Sequence, residues 1–294
     1  MSDAPTYRGR FAPTPSGPLH FGSIVAALAS WLAARSRNGQ WWLRIEDLDR
    51  QRLRPDAESS ILNTLEHLGL HWDGPMLRQS ERLVHYQAAL ERLLREGLAY
   101  PCGCSRADLV EGCYPGTCRS GLPEGRQIRS WRFRVPDGEV TFIDRIRGEL
   151  TIDVAHSSGD FVIKRADGYF AYHLAVVLDD ALCGMTDIVR GADLIDSTPR
   201  HILLQQALGL PTPTYAHTPV VLGDDGRKLS KHLGAPPPVL SDPGTVLHDA
   251  LSFLGQRPPA ALRSAAPARV LAWASENWDE AVIPRLDQAS ERWH

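Results

Sequence analysis

The spacing of apolar residues predicts a chain in which strands and helices alternate. Tyr86, Leu90 and Leu94, for example, recur at helical intervals and form one apolar face. Aromatic and β-branched runs such as Gln40–Ile45 are instead typical of buried strands. Helices are predicted at 24–37, 55–68, 80–96, 197–208, 243–255 and 259–276, with another within 169–185. Strands are predicted at 40–45, 128–135, 140–144, 161–165 and 187–191. This order indicates an α/β protein.

The segment Arg10–Ser23 joins the end of a predicted strand to the start of a helix. Its three prolines and Gly17 interrupt both kinds of structure, so the backbone must turn there. A strand, a glycine-containing turn and a helix form a place where α/β sheets bind nucleotides, because free helix N–H groups attract phosphate. His20 can donate a hydrogen bond to phosphate oxygen, and Gly22 allows a ligand to approach closely. From this segment alone, a plain strand–turn–helix connection is an equal alternative.

Charged residues also follow other predicted strands, at the sheet edge where ligands bind. Glu46 follows the strand 40–45 and can accept hydrogen bonds from an amino group, while Arg190 ends the strand 187–191. Lys228 and Lys231 lie on a later loop. Two lysines at this spacing suit a polyphosphate, because ammonium groups can follow charge that moves onto pyrophosphate. Taken alone, each of these segments is explained more simply as a solvated charged loop.

Four of the five cysteines lie between residues 102 and 118, which argues against a disulfide framework and favours a metal cluster. Cys102 and Cys104 can point at one ion, and Cys118 supplies a third thiolate, a ligand that zinc prefers. The fourth ligand is open between Cys113 and Tyr114. General chemistry favours Cys113, since a phenol with a pKa of about 10 is a poor ligand at neutral pH. Reduced thiols without a metal are the alternative.

Composition and charge exclude some classes of protein. No apolar run reaches the roughly 18 residues of a membrane span, and residues 1–10 lack the apolar segment of a signal peptide. We therefore expect a cytoplasmic protein with no membrane partner. The net charge of −3 does not indicate a nucleic-acid binder. Residues 119–147, however, contain seven arginines against four acids, which can either track an RNA backbone or be ordinary surface charge.

These segments together, and in this order, resemble class I aminoacyl-tRNA synthetases in their glutamyl form. His20-Phe-Gly-Ser resembles the first class I signature, and Lys228-Leu-Ser-Lys-His resembles the second. Arg44-Ile-Glu-Asp-Leu-Asp is similar to the Arg-Ile-Glu-Asp-Thr-Asp segment of glutamyl-tRNA synthetases. The resemblance covers roughly residues 8–235. It implies a Rossmann-type catalytic domain with a parallel sheet, interrupted by an acceptor-type insertion.

The resemblance also assigns roles to individual residues. It implies that His20, Lys228 and Lys231 are catalytic, and that ATP, with Mg²⁺ on its phosphates, is bound by His20, Gly22 and Lys231. It places glutamate against Arg10, Phe11, Ala12, Pro13, Thr14, Glu46, Tyr172 and Arg190. In this scheme the two arginines suit carboxylates and Glu46 pairs with the substrate ammonium.

The remainder of the chain narrows the resemblance to one group. Only about 60 residues follow Lys231, too few for the helical anticodon-binding region of glutamyl-tRNA synthetases. The short chain and its cysteine cluster resemble the glutamyl-queuosine tRNA(Asp) synthetases, which attach glutamate to the queuosine base in the anticodon loop. In that group a tyrosine oxygen ligates zinc. The resemblance thus implies one structural Zn²⁺, bound by Cys102, Cys104, Tyr114 and Cys118, in a chain that we expect to be a monomer.

Two other functions are open at this point. The chain could be a truncated glutamyl-tRNA synthetase that charges the acceptor end, or a non-catalytic tRNA-binding paralogue, against which the intact His20, Lys228 and Lys231 argue. The expected organisation has the two halves of the catalytic domain at 1–99 and 161–220 and a zinc-containing insertion at 100–160. A loop and a small helical segment are expected at 221–294, with no anticodon-binding domain.

Overall fold

The computed structural model describes residues 6–223 and 242–289. Its strands are β1 Arg8–Phe11, β2 Gln40–Ile45, β3 Leu77–Arg78, β4 Ala99–Cys102, β5 Ser130–Phe133, β6 Glu139–Asp144, β7 Gly148–Asp153, β8 Val162–Lys164, β9 Asp187–Gly191, β10 Thr214–Thr218, β11 Val221–Leu222 and β12 Gln288–Ala289. Its α-helices are α1 Phe21–Arg35, α2 Ala57–His67, α3 Leu83–Arg95, α4 Val154–Ser157, α5 Tyr172–Leu182, α6 Thr198–Ala207, α7 Pro243–Phe253 and α8 Pro267–Asn277.

Parallel strands form the centre of the fold. β1 pairs with β2 and β2 with β3, while β10 pairs with both β9 and β6, all in parallel. The two groups of strands meet where the Thr186 N–H donates to the Arg8 carbonyl oxygen over 3.0 Å. The carboxyl ends of β1, β2, β9 and β10 therefore lie along one edge. The predicted α/β class with a parallel sheet is confirmed, although β7 pairs with β6 in antiparallel fashion and makes the sheet mixed.

Helix α1 packs closely on the parallel strands because its buried face is rich in alanine. Ala27, Ala29 and Ala33 are fully buried in the main core, together with residues of β1, β2 and α7. Small side chains allow the helix backbone to approach the sheet. The helix begins at Phe21 with His20 as its N-cap residue. Its start, and hence the position of His20, is fixed by this packing.

A second core lies beneath the antiparallel strands β4, β5 and β8. Helices α3 and α5 cover it, and the Tyr86 and Phe170 rings meet edge to face at 5.5 Å. The cysteine segment runs from the end of β4 to the start of β5. The strands β6 and β7 lie elsewhere, on the edge of the β9–β10 sheet. The division of the chain into segments at 1–99, 100–160, 161–220 and 221–294 stays a prediction. The strand pairing shows, however, that residues 139–153 belong to a different sheet from the strands that flank the cysteines.

Three predicted helix starts were wrong by three residues or more. The helix predicted from residue 24 begins at Phe21. The helix predicted from Ser80 begins at Leu83, because a 3-10 turn at Gln79–Arg82 precedes it and the Ser80 N–H and hydroxyl both donate to Asp47. The helix predicted at 259–276 begins at Pro267, a residue that favours the first helical turn. In the described ranges, every helix is too short or too polar to cross a membrane.

Candidate active site and metal centre

A cavity of about 950 Å³ opens at the sheet edge where β1, β2, β9 and β10 end. Such an edge is where ligands bind in parallel α/β sheets. Every predicted glutamate or ATP residue in the described ranges lines this cavity, namely Arg10, Phe11, Ala12, Pro13, Thr14, His20, Gly22, Glu46, Tyr172 and Arg190. The predicted Lys228 and Lys231 lie outside the described residues.

Backbone hydrogen bonds hold the turn after β1 against the end of β2. The Glu46 N–H donates to the Pro13 carbonyl oxygen over 3.0 Å, and the Arg54 N–H donates to that of Pro15 over 3.1 Å. The turn and the acidic residue therefore form one wall of the cavity.

His20 both caps helix α1 and lines the cavity. The Ser23 N–H donates to its Nδ1 over 3.3 Å, so the proton of a neutral ring resides on Nε2, which can donate to a ligand. Gly22 was predicted to leave room for a nucleotide. A Cβ at this position would lie 3.2 Å from ring atoms of His20. The absence of a side chain at Gly22 therefore makes room for the imidazole itself.

Arg10 is held by a carboxylate that the sequence analysis missed. Its Nε and Nη2 donate to the two oxygens of Asp180 over 3.1 and 3.3 Å, which leaves the Nη1 end for a ligand. Arg44 donates to the same Asp180 carboxylate over 2.5 Å and to Glu46 over 3.1 Å. These four buried residues form a continuous chain of alternating charges beneath the cavity.

Burial and charge set opposite pKa shifts in the two acids of this chain. Burial raises the pKa of Glu46 above its ordinary value, against the lowering effect of Arg44 and Arg10. Burial acts in the same direction on Asp180, but the charges of Arg10 and Arg44 outweigh it and hold the pKa of Asp180 below its usual value. Asp180 therefore stays charged as the counter-ion of both arginines. Glu46 shares Arg44 with Asp180, so its own charge is only partly neutralised. A substrate ammonium would stabilise its charged form.

Arg190, the last residue but one of β9, has a buried guanidinium with neutral neighbours. Its donors reach the Tyr172 hydroxyl at 3.2 Å, the Thr198 hydroxyl at 2.8 Å and the Leu194 carbonyl oxygen at 3.2 Å. Within the described ranges, no carboxylate oxygen lies within the ion-pairing distance of 4 Å from its guanidinium nitrogens. A buried cation without a charged partner is costly, so the site is suited to an anionic ligand.

Three histidines behind Arg190 were missed by the sequence analysis. His217 and His201 each face a guanidinium nitrogen, at 3.1 and 3.4 Å, and His173 lies 3.2 Å from His201. Burial lowers the pKa of His173 to about 3 and that of His201 well below its usual value, so both are neutral. A polar residue inside an apolar strand or helix was the available signal: His217 in β10, Arg44 in β2 and the Asp179–Asp180 pair in α5.

The cysteine segment brings three thiols and one phenol together. The sulfur atoms of Cys102, Cys104 and Cys118 lie within 4.8 Å of one another. The Tyr114 hydroxyl lies 3.4 Å from the Cys102 sulfur and 4.0 Å from that of Cys104. The Cys113 sulfur instead lies 3.8 Å from the Ala155 carbonyl oxygen. Of the two candidate fourth ligands, the structure thus groups Tyr114 with the thiols.

This group of donors fits a tetrahedral zinc ion. Zinc–sulfur bonds of about 2.3 Å place two sulfurs about 3.8 Å apart in a tetrahedron, and the Cys104 and Cys118 sulfurs are 3.7 Å apart. Burial acts to raise the pKa of Cys102, but hydrogen bonds from Tyr114, the Cys104 amide and Arg132 lower it to about 7. Burial raises the pKa of Tyr114, so its deprotonation would require the metal.

The arginine-rich segment is not a free cationic stripe. Arg126 and Arg132 donate to the sulfurs of Cys104 and Cys102, while Arg145 and Arg147 pair with Asp187 and Asp287. Arg119 and Arg134 donate to backbone oxygens. Six of the seven arginines from 119 to 147 are therefore engaged within the protein. The contact of this segment with an RNA backbone stays a prediction.

Comparison with known proteins adds independent information. The family model described as the catalytic domain of class I tRNA synthetases (E and Q) matches residues 6–112 and 119–235. A glutamyl-Q tRNA(Asp) synthetase of Ectopseudomonas mendocina is 54% identical over 287 residues, which are 97% of either chain. That of Thiobacillus denitrificans is 52% identical over 94% of both chains.

A solved structure shows the same fold. A glutamate tRNA ligase from Elizabethkingia meningosepticum, in complex with its amino acid, superposes with a TM-score of 0.82 at 27% identity. The match covers 97% of this chain and 67% of that one.

Proposed function

Because this chain belongs to the class I glutamyl- and glutaminyl-type tRNA synthetases and is a ligase, we propose that it activates glutamate with ATP and transfers it to the queuosine base of tRNA(Asp). The observation that carries the proposal is the similarity to glutamyl-Q tRNA(Asp) synthetases, which extends over nearly the whole of both chains. The shared length makes a common target the simplest explanation. The runner-up is transfer to the acceptor end.

The cavity supports glutamate as the amino acid. Arg190 and the Nη1 end of Arg10 offer positive charge for carboxylates, and the Glu46 carboxylate offers a counter-charge for the ammonium group. The Tyr172 hydroxyl accepts from Arg190, so its own proton can be donated to a substrate oxygen. Two arginines and one acid match the three charges of free glutamate.

Activation joins two anions, so positive charge and donors must be fixed in advance. A glutamate carboxylate oxygen attacks the α-phosphorus of ATP, and the bond to pyrophosphate breaks. His20 lines the cavity and its Nδ1 accepts from Ser23. Its Nε2–H is therefore assigned to donate to a phosphate oxygen. Lys228 and Lys231, which lie outside the described residues, are assigned to the phosphates from the sequence alone. Mg²⁺ would neutralise charge on the phosphates.

The cysteine centre is assigned a structural role. Zinc would be held by Cys102, Cys104, Tyr114 and Cys118 and would cross-link the segment between β4 and β5. It is assigned no part in glutamate activation.

A crossed pair of tRNA substrates tests the target. One tRNA(Asp) carries queuosine but lacks the terminal adenosine, and the other has an intact end but no queuosine. We expect labelled glutamate to be attached only to the first. Attachment only to the second would establish acceptor-end charging and overturn the proposal. ATP–pyrophosphate exchange with glutamate, measured without tRNA, tests activation separately.

A further inference from the structure

A chain of three polar side chains crosses three neighbouring strands and ends at the cavity. Asp144 ends β6, His217 lies on β10 and Arg190 lies on β9. His217 and Arg190 are register partners on β10 and β9, and Asp144 is the register partner of Tyr215. The His217 Nδ1 lies 2.6 Å from an Asp144 oxygen, and the Arg190 Nε donates to the His217 Nε2 over 3.1 Å.

The hydrogen-bond partners leave one protonation state for His217. Asp144 accepts backbone N–H groups from Ile146 and Arg147 at one oxygen, and burial is outweighed so that its pKa lies below the usual value. The carboxylate is thus charged and accepts the Nδ1–H. The guanidinium has no acceptor, so the Nε2 of His217 must carry a lone pair. Burial keeps the ring neutral by lowering its pKa.

We infer that Asp144 and His217 are positioning residues that aim the Arg190 guanidinium at the substrate carboxylate by fixing the imidazole in its Nδ1–H form. This inference rests on the proposed role of Arg190 in glutamate binding and extends it to residues that do not touch the substrate.

The alternative tautomer would disturb Arg190 directly. A proton on Nε2 would face the Nε–H of Arg190 at 3.1 Å, and neither group could accept. The Thr198 hydroxyl lies 3.3 Å from the same Nε2, but it already accepts from Arg190. His217 is 0% exposed and Asp144 is 1% exposed, so bulk water cannot relieve the conflict. Rotation of Arg190 away from His217 would also break its hydrogen bonds to Thr198 and Tyr172. The tautomer therefore controls where the positive charge points.

The substitution Asp144→Asn tests this arrangement with little change in shape. Its carbonyl oxygen can keep the backbone hydrogen bonds to Ile146 and Arg147, while its amide group faces His217 and donates to Nδ1. The imidazole should then carry its proton on Nε2. We expect the KM for glutamate in ATP–pyrophosphate exchange to rise at least tenfold, with the KM for ATP changed less than twofold. Nitrogen-15 NMR of labelled histidine should show that the ring proton of His217 has moved from Nδ1 to Nε2.

A second aspartate–histidine pair provides a matched control. The His156 Nδ1 lies 2.7 Å from an Asp153 oxygen, but on the surface, with the His156 side chain 88% exposed. Asp153→Asn should leave both KM values unchanged.

A double-variant cycle separates positioning from mere stability. A glutamine at 217 has no tautomers and can turn its oxygen toward Arg190. Asp144→Asn should therefore raise the KM for glutamate much less in a His217→Gln background than in the wild type. Equal effects in the two backgrounds, or a tautomer change without a change in this KM, would overturn the inference. An equal loss for ATP and glutamate without a tautomer change would do the same.

Calorimetric titration of glutamate without tRNA gives the same comparison as a dissociation constant. A wrong transfer target would leave these measurements intact, so failure of the proposed function and failure of the positioning role are distinguishable.

Discussion

Arg10 and Arg44 donate to the same oxygen of the Asp180 carboxylate, over 3.1 and 2.5 Å. Two guanidiniums at the base of the cavity thus share one carboxylate, and Arg44 also pairs with Glu46. Arg10 is at once a candidate substrate ligand and a partner in a buried ion pair. The ion pair gives this candidate ligand residue two hydrogen bonds within the protein itself.

Asp180→Asn should destabilise the protein strongly. It leaves the buried Arg10 without its counter-ion and takes one of the carboxylates away from Arg44, which keeps Glu46; breaking a buried pair in this way costs about 3–5 kcal/mol. Urea unfolding should show a lower midpoint with an unchanged slope. Asp167→Asn breaks the half-exposed pair with Arg165 and should cost about 1 kcal/mol or less. Equal urea midpoints for the two variants would show that the ion pairs of Asp180 are no more buried from solvent than that of Asp167. In the wild type, the stabilisation by Asp180 should be lost only as the pH falls below the ordinary aspartate range, through its depressed pKa.

The raised pKa of Glu46 predicts a pH-dependent affinity for glutamate. Only the charged carboxylate can pair with the substrate ammonium, so the KM for glutamate should rise as the pH falls from neutral through this pKa. Glu46→Gln should raise this KM by about 30-fold or more at neutral pH, the equivalent of roughly 2 kcal/mol for one lost charge partner. It should also remove the pH dependence in this range. A Gln variant that keeps the wild-type pH profile would show that another group titrates.

His20 permits a substitution that separates its two roles. Asparagine is as good an N-cap as any residue, so His20→Asn should keep the stability of helix α1, whereas His20→Ala should lose about 1 kcal/mol. Both should slow ATP–pyrophosphate exchange by about 10²–10³-fold, because both remove the imidazole donor. Thermal unfolding and exchange rates measured side by side test this. Near-normal exchange with His20→Asn would reduce the imidazole to a structural cap.

The metal centre predicts a difference between two adjacent residues. Tyr114→Phe should weaken zinc retention, because the hydroxyl that groups with the thiols is lost. Cys113→Ser should retain one zinc per chain, since its sulfur contacts the Ala155 carbonyl oxygen instead. Metal content after dialysis against a chelator measures both. The opposite result would make Cys113 the ligand, and metal-free wild-type protein would remove the zinc assignment altogether.

The sequence predicted the parts of the fold and site that depend on local patterns. The strand ends at Ile45 and Gly191 follow from short runs with apolar residues. The order of the motifs connected Arg10, Glu46 and Arg190 before any geometry was known. The partners of these residues could not be predicted in this way. Asp180 and His217 reach the site through packing between distant elements, and the local pattern shows only a polar residue in an apolar segment.

The segment 103–129 has a consequence for protein engineering. Its ends are joined where the Arg129 N–H donates to the Cys102 carbonyl oxygen over 2.9 Å, and β4 and β5 continue the pairing. Its two ends therefore lie next to each other, and we expect that it can be exchanged between homologous chains that keep Cys102, the one proposed zinc ligand outside it. The longer segment 100–160 cannot be exchanged in this way, since its removal would take away β6 and with it Asp144, the outermost member of the chain that reaches Arg190.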